Sequence, residues 1–115
     1  VAESPALHSP GVVNLTDASV AEGALQQPGL LLLDVWAGWC GPCRLMAPMM
    51  DWAAITYAEQ LRVAKLEADP NPQTLKQLDV QGLPTLILFR GGKEIDRHEG
   101  AIPKDQLKSF VEAHL

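Results

Sequence analysis

Trp36-Ala37-Gly38-Trp39-Cys40-Gly41-Pro42-Cys43-Arg44 is the stretch on which the reading of this chain turns. It holds both cysteines of the sequence, spaced Cys-x-x-Cys. The apolar run Leu30-Leu31-Leu32-Leu33-Asp34-Val35 leads into it, and Leu45, Met46, Met49, Trp52, Ala53 and Ile55 recur at helical spacing behind it. The pattern is strand, tight turn, helix, with two thiols where the helix begins. A helix start presents unpaired N–H groups and the positive end of the backbone dipole. A thiolate is favoured there over a thiol, so Cys40 is expected to be reactive near neutral pH. Cys43, one turn further in, can close a disulfide with it. The stretch therefore predicts a redox dithiol. A half zinc site is the competing reading, but structural zinc takes four ligands. No second Cys-x-x-Cys exists, and His8, His98 and His114 are scattered over the tail, a strand and the last helix.

Outward from this centre, the four leucines at 30–33 predict a central strand covered on both faces. Towards the N-terminus lie the breakers Gln27-Pro28-Gly29, a helix over Asp17 to Gln26 with Thr16-Asp17 or Ser19 at its start, and a short strand over Gly11 to Leu15. Residues 1–11 read as a loose lead-in. Because the chain begins with Val, N-terminal processing or a boundary is expected. Towards the C-terminus a helix is expected from Cys40 to Ala58, with Pro48 kinking it and Met46, Met49 and Met50 filling core volume. Then come a strand over Arg62 to Ala68, a short helix over Pro72 to Leu78, and a strand over Thr85 to Arg90. Gly91-Gly92 reads as a hairpin turn into a strand over Lys93 to Glu99, whose charges mark it as an edge. The last helix starts at Pro103 and buries Leu107, Phe110 and Val111. The order β-α-β-α-β-α-β-β-α places the early strands parallel and the last two in an antiparallel hairpin.

A chain of 115 residues is one domain, and folding buries roughly two-thirds of the surface of a domain this size. The net charge of −5 disfavours nonspecific nucleic-acid binding. No apolar run approaches the ~20 residues of a membrane span, and no secretory n- and h-regions are present. Two cysteines do not make a disulfide scaffold, so their spacing points to catalysis.

Trp36-x-x-Trp39-Cys40-Gly41-Pro42-Cys43, together with Asp34, Ala47-Pro48, Val63-Ala64-Lys65-Leu66, Gly82-Leu83-Pro84-Thr85 and Glu99-Gly100-Ala101, closely resembles the thioredoxin family. The resemblance covers residues 12–115. It implies the thioredoxin fold, an α/β three-layer architecture with a five-stranded mixed sheet flanked by four helices. It also implies a monomeric protein disulfide reductase with no bound cofactor or metal, acting on target-protein disulfides without nucleic acid or membrane. A thioredoxin reductase, drawing on NADPH or ferredoxin, would supply electrons. A photosynthetic lineage is suggested, with the chloroplast stroma or the cytoplasm as the reducing compartment.

Cys40 is the expected nucleophile and Cys43 the resolving thiol, exchanging electrons through a mixed disulfide. Oxidising relatives carry a histidine between the cysteines. Gly41-Pro42 here points to a reductant rather than an oxidase or isomerase. Asp34 stands among leucines, so burial should raise its pKa. It reads either as a proton relay to Cys43, tuned by Lys65, or as half of a buried structural pair with Lys65. The family holds the bond before Pro84 cis, exposing the Leu83 backbone for an extended substrate segment. Trp36 packs beneath the site. Trp39, Gly41, Pro42, Leu83, Pro84, Gly100 and Ala101 form the expected substrate surface. Val20, Val35 and Arg44 depart from common family residues, and so bear on partner choice.

Overall fold

A computed structural model describes residues 11–115. Its elements are β1 (Val13–Leu15), α1 (Ala21–Leu25), β2 (Leu30–Trp36), α2 (Gly41–Thr56), β3 (Leu61–Glu67), α3 (Pro72–Gln77), β4 (Thr85–Arg90), β5 (Lys93–Glu99) and α4 (Lys104–Glu112). The strands form one sheet in the order β1-β3-β2-β4-β5. β1, β3 and β2 run parallel, and β4 and β5 are antiparallel. The leucine run is therefore central and covered on both faces, while the charged β5 lies at an edge, as expected from the sequence. His8 and the lead-in before Gly11 fall outside the described residues.

Alternation along β2 sorts its leucines between two layers of core. Leu31, Leu33 and Val35 face Val20 and Ala24, with Leu75 and Leu78 packed against them. Leu30 and Leu32 face Met46 and Met50 of α2 and Leu107 and Val111 of α4. The sheet is thus sandwiched, α1 and α3 on one side and α2 and α4 on the other. Met46 and Met50 are fully buried and Met49 partly so, as filling of core volume requires. α2 continues through Pro48 as a single helix.

α1 departs from the expected helix. Only Ala21–Leu25 is helical, and it is a π-helical turn. Asp17 does not cap it. The Asp17 carboxylate instead accepts bonds from the Gln73 and Thr74 amides and the Thr74 hydroxyl, at 3.2, 2.8 and 2.6 Å. It caps α3 across the fold, while Asn71 Oδ1 holds the Asp17 amide at 2.8 Å. Thr16 and Ser19 bond to each other, forming a tight turn that delays the helix. At the β4–β5 hairpin, Gly91 and Gly92 have φ of 59° and 84°. A Cβ on Gly92 would strike the Leu25 carbonyl, so the turn also needs glycine to approach α1.

Candidate active site

The site lies where β2 and β3 end and α2 begins. The chain leaves β2 at Trp36, turns through Ala37 to Trp39, and enters α2 with Cys40 in the capping position. Pro42 sits in the first turn, where a missing N–H breaks no helical bond. Cys40 and Cys43 form a disulfide. The Cys43 amide donates to Cys40 Sγ at 3.2 Å, as it would to a thiolate after reduction. Cys43 stands one turn further into the helix than Cys40. In the disulfide the two are equally buried, each 4% exposed. They differ in surroundings, because Cys43 lines the cavity beside Asp34 and Cys40 does not.

Cys43 lines a cavity of about 150 Å³ together with Asp34, Trp36, Lys65 and Arg44. Asp34 is 1% exposed, and its Oδ1 has no hydrogen-bond partner. Burial pushes its pKa up to about 7, against the opposing pull of Lys65 on the paired position of β3. Lys65 and Asp34 form no direct ion pair among the described residues. The Lys65 ammonium lies over the Trp36 ring instead, 5.4 Å from its centroid. Trp36 is half-buried and lines the cavity, and its indole N–H is buried without a partner.

The residues expected to form the substrate surface come from separate elements. Trp39 is 69% exposed, and Gly41 and Pro42 are exposed beside it. The Trp39 indole donates to Asp69 at 2.9 Å. Thirty positions separate the pair, and no local pattern in the sequence links them. The Leu83–Pro84 bond is cis. The Gly100 amide donates to the Pro84 carbonyl at 2.7 Å, and Gly100, at φ 95°, turns the chain there into exposed Ala101. None of these residues lines the Asp34 cavity. Of the departures, Val20 and Val35 are buried core residues, and Arg44 donates to the Gly38 carbonyl at 3.2 Å.

Metal chemistry finds no ligand set here. Among the described residues no three His, Cys, Asp or Glu side chains are grouped to hold an ion. His114 bonds Asp96 at 2.9 Å, and His98 packs edge-on against Phe110. Among the described residues, no helix is long and apolar enough to cross a membrane.

The thioredoxin family model matches residues 11–113. The chain belongs to the thioredoxin family. It is 42% identical over 104 residues to a thioredoxin of Pseudomonas aeruginosa, covering 90% of this chain and 96% of that protein. It is 42% identical over 101 residues to a thioredoxin of the Synechocystis sp. strain, covering 88% and 94%. It is 40% identical over 101 residues to thioredoxin 1 of the Nostoc sp. strain, again covering 88% and 94%. Members of this family are thiol–disulfide oxidoreductases, and Cys40–Cys43 is the redox pair of this thioredoxin-family chain. The family generally works with a thioredoxin reductase and disulfide-bearing targets.

Proposed function

We propose that Cys40, Cys43, Asp34 and Lys65 form the catalytic group of a reductase for protein disulfides. The Cys40 thiolate attacks one sulfur of a target disulfide and expels the other as a thiolate. Cys43 then gives up its proton and attacks Cys40, releasing the second target sulfur. The target gains two electrons and the Cys40–Cys43 disulfide closes. The observation carrying this reading is the shared cavity of Cys43 and Asp34. A carboxyl with its pKa near 7 has close to the best proton affinity for relaying a thiol proton at neutral pH. Lys65, beside it, pulls that value down and keeps the carboxylate populated.

Trp39, Gly41, Pro42, Leu83, Pro84, Gly100 and Ala101 are the docking surface in this reading. Among the described residues, the Leu83 N–H donates to no backbone or side-chain partner and its C=O accepts from none. Free main-chain groups next to an exposed tryptophan suit an extended target segment. Electrons come from a thioredoxin reductase, dependent on NADPH or ferredoxin, in a reducing compartment, the cytoplasm or the chloroplast stroma. The domain proper is residues 12–115, and it acts as a monomer. Cys43→Ser tests the scheme. It should stall as mixed disulfides through Cys40, recoverable with their targets by mass spectrometry. Product release from Cys43→Ser at the parental rate would remove Cys43 from the resolving role.

A further inference from the structure

Arg97 lies on edge strand β5, outside the cavity and the docking residues named above. It spends its guanidinium on two tasks. Its Nε and Nη2 donate to the two carboxylate oxygens of Glu94, each at 2.7 Å. Its Nη1 donates to the Asp79 carbonyl at 3.0 Å and its Nη2 also to the Leu78 carbonyl at 2.6 Å. In a regular strand, residues three apart point to opposite faces. Here Phe89 pairs with Glu94 and Leu88 with Asp96, leaving Ile95 as an extra residue. That bulge restores Glu94 and Arg97 to one face, the face of α3. Bulges re-aim side chains in this way, often beside active sites.

The carbonyls that Arg97 holds are the first ones past the end of α3, at the start of the segment that runs to Leu83 and Pro84. Asp79 is the one non-glycine residue with positive φ among the described residues, at 54°. Its carboxylate accepts from the Gln81 side-chain amide at 2.6 Å, and the Val80 backbone N–H donates back to the Leu75 carbonyl at 2.9 Å. At the far end, the Thr85 hydroxyl holds the Gly82 carbonyl at 2.5 Å, and Gly100 holds Pro84. The segment is fastened at both ends, and the Leu83 main-chain groups are left free between the fastenings. An arginine that only capped α3 would need neither Glu94 nor a bulge.

Building on the reductase reading, we propose that Arg97, braced by Glu94 across the bulge, is a positioning residue that sets the Leu83 backbone for pairing with extended protein targets. Small disulfides need no such pairing and are reduced independently of it. Arg97→Ala therefore discriminates by substrate. With insulin as the protein probe, KM rises about tenfold, the loss of one or two hydrogen bonds, while kcat stays within about twofold. Reduction of dithiobisnitrobenzoate and alkylation of Cys40 by iodoacetamide stay within about twofold of the parent. Arg97→Lys keeps the charge but not the planar fork, and should shift insulin KM like the alanine variant. Glu94→Gln leaves the carbonyl contacts in place and should raise insulin KM by about threefold; it decides the matter if Arg97→Ala fails to fold. Equal loss on both substrates, or no change on insulin, would overturn the assignment. A parent protein that reduces neither substrate would sink the reductase reading itself, and with it this one.

Discussion

Two carboxylates in this chain have opposite fates. Asp17 lies at the start of α3, and desolvation there would raise its pKa. Bonds from the Thr74 hydroxyl and the Thr74 and Gln73 amides outweigh that effect and hold it below the usual value. Asp34 sits in the middle of β2 with one oxygen lacking any partner, and burial pushes it up to about 7. Asp17 satisfies three donors, two backbone and one side-chain, at a helix end, and so it belongs to the structure. Asp34 is costly where it stands, since a buried carboxyl without partners is not what a core needs. Such groups cluster at functional sites, which supports the proposed relay role of Asp34. Both carboxylates lie towards the C-terminal end of the parallel strands, yet their surroundings differ. One region is made of satisfied caps and turns, and the other, around the dithiol cavity, leaves Trp36 Nε1 and Asp34 Oδ1 unpartnered.

The comparison breaks most visibly at Asp34. Asp34→Asn should slow release of the mixed disulfide by roughly ten- to a hundredfold while the fold persists, because in the proposed scheme the Cys43 proton loses its acceptor. Single-turnover kinetics with a disulfide substrate measure it, and parental rates across neutral and alkaline pH would leave Asp34 a structural residue. The same substitution should stabilise the protein at neutral and higher pH, by up to about 4 kcal/mol, since the folded pKa stands near 7 against an ordinary carboxylate value. Lys65, freed of its neighbour, offsets part of that gain.

The parent's pH dependence sharpens the contrast. Between the ordinary carboxylate pKa and about 7, folded Asp34 holds a proton that the unfolded chain has released. Stability therefore falls as pH rises through this window and levels off above it. Denaturant midpoints measured from pH 4 to 8 should show that fall in the parent and its absence in Asp34→Asn. Asp17 runs the other way. Its folded pKa is lowered, so its contribution is present above the unfolded value and is lost as pH falls through the folded one. Asp17→Ala is the smallest effect. It should lower the melting temperature by a few degrees at neutral pH, with the dithiol's reactivity unchanged. A slower mixed-disulfide step in that variant would join the two regions and dissolve the comparison.

The strands were legible because alternation and apolar runs are local signals. Leu30 to Leu33 announced a buried centre, and the five charges of Lys93 to Glu99 announced an edge. The dithiol was legible because both cysteines and their helix start lie within four residues. Asp34 stood out as one carboxyl in a run of leucines. What escaped was everything made by contact across the chain. Thr16-Asp17 looks like a helix cap and is one, but for α3 rather than for its own helix. Trp39 finds Asp69, and Arg97 finds Leu78 and Asp79, over separations that leave no periodicity to read.

The residues themselves determined the family, the sheet's centre and edge, the redox pair and the one carboxyl that would be buried, because each depends on side-chain chemistry and on neighbours within a turn or a strand. Tertiary structure decided the rest. It chose which helix Asp17 caps, made Cys40 and Cys43 equally buried, gathered Asp34, Lys65 and Cys43 around one cavity, and inserted Ile95 so that Glu94 and Arg97 share a face. The reason is the same in every case. A hydrogen bond or a desolvation depends on distance in space, and residues dozens of positions apart meet only when the packed sheet brings their backbones into register.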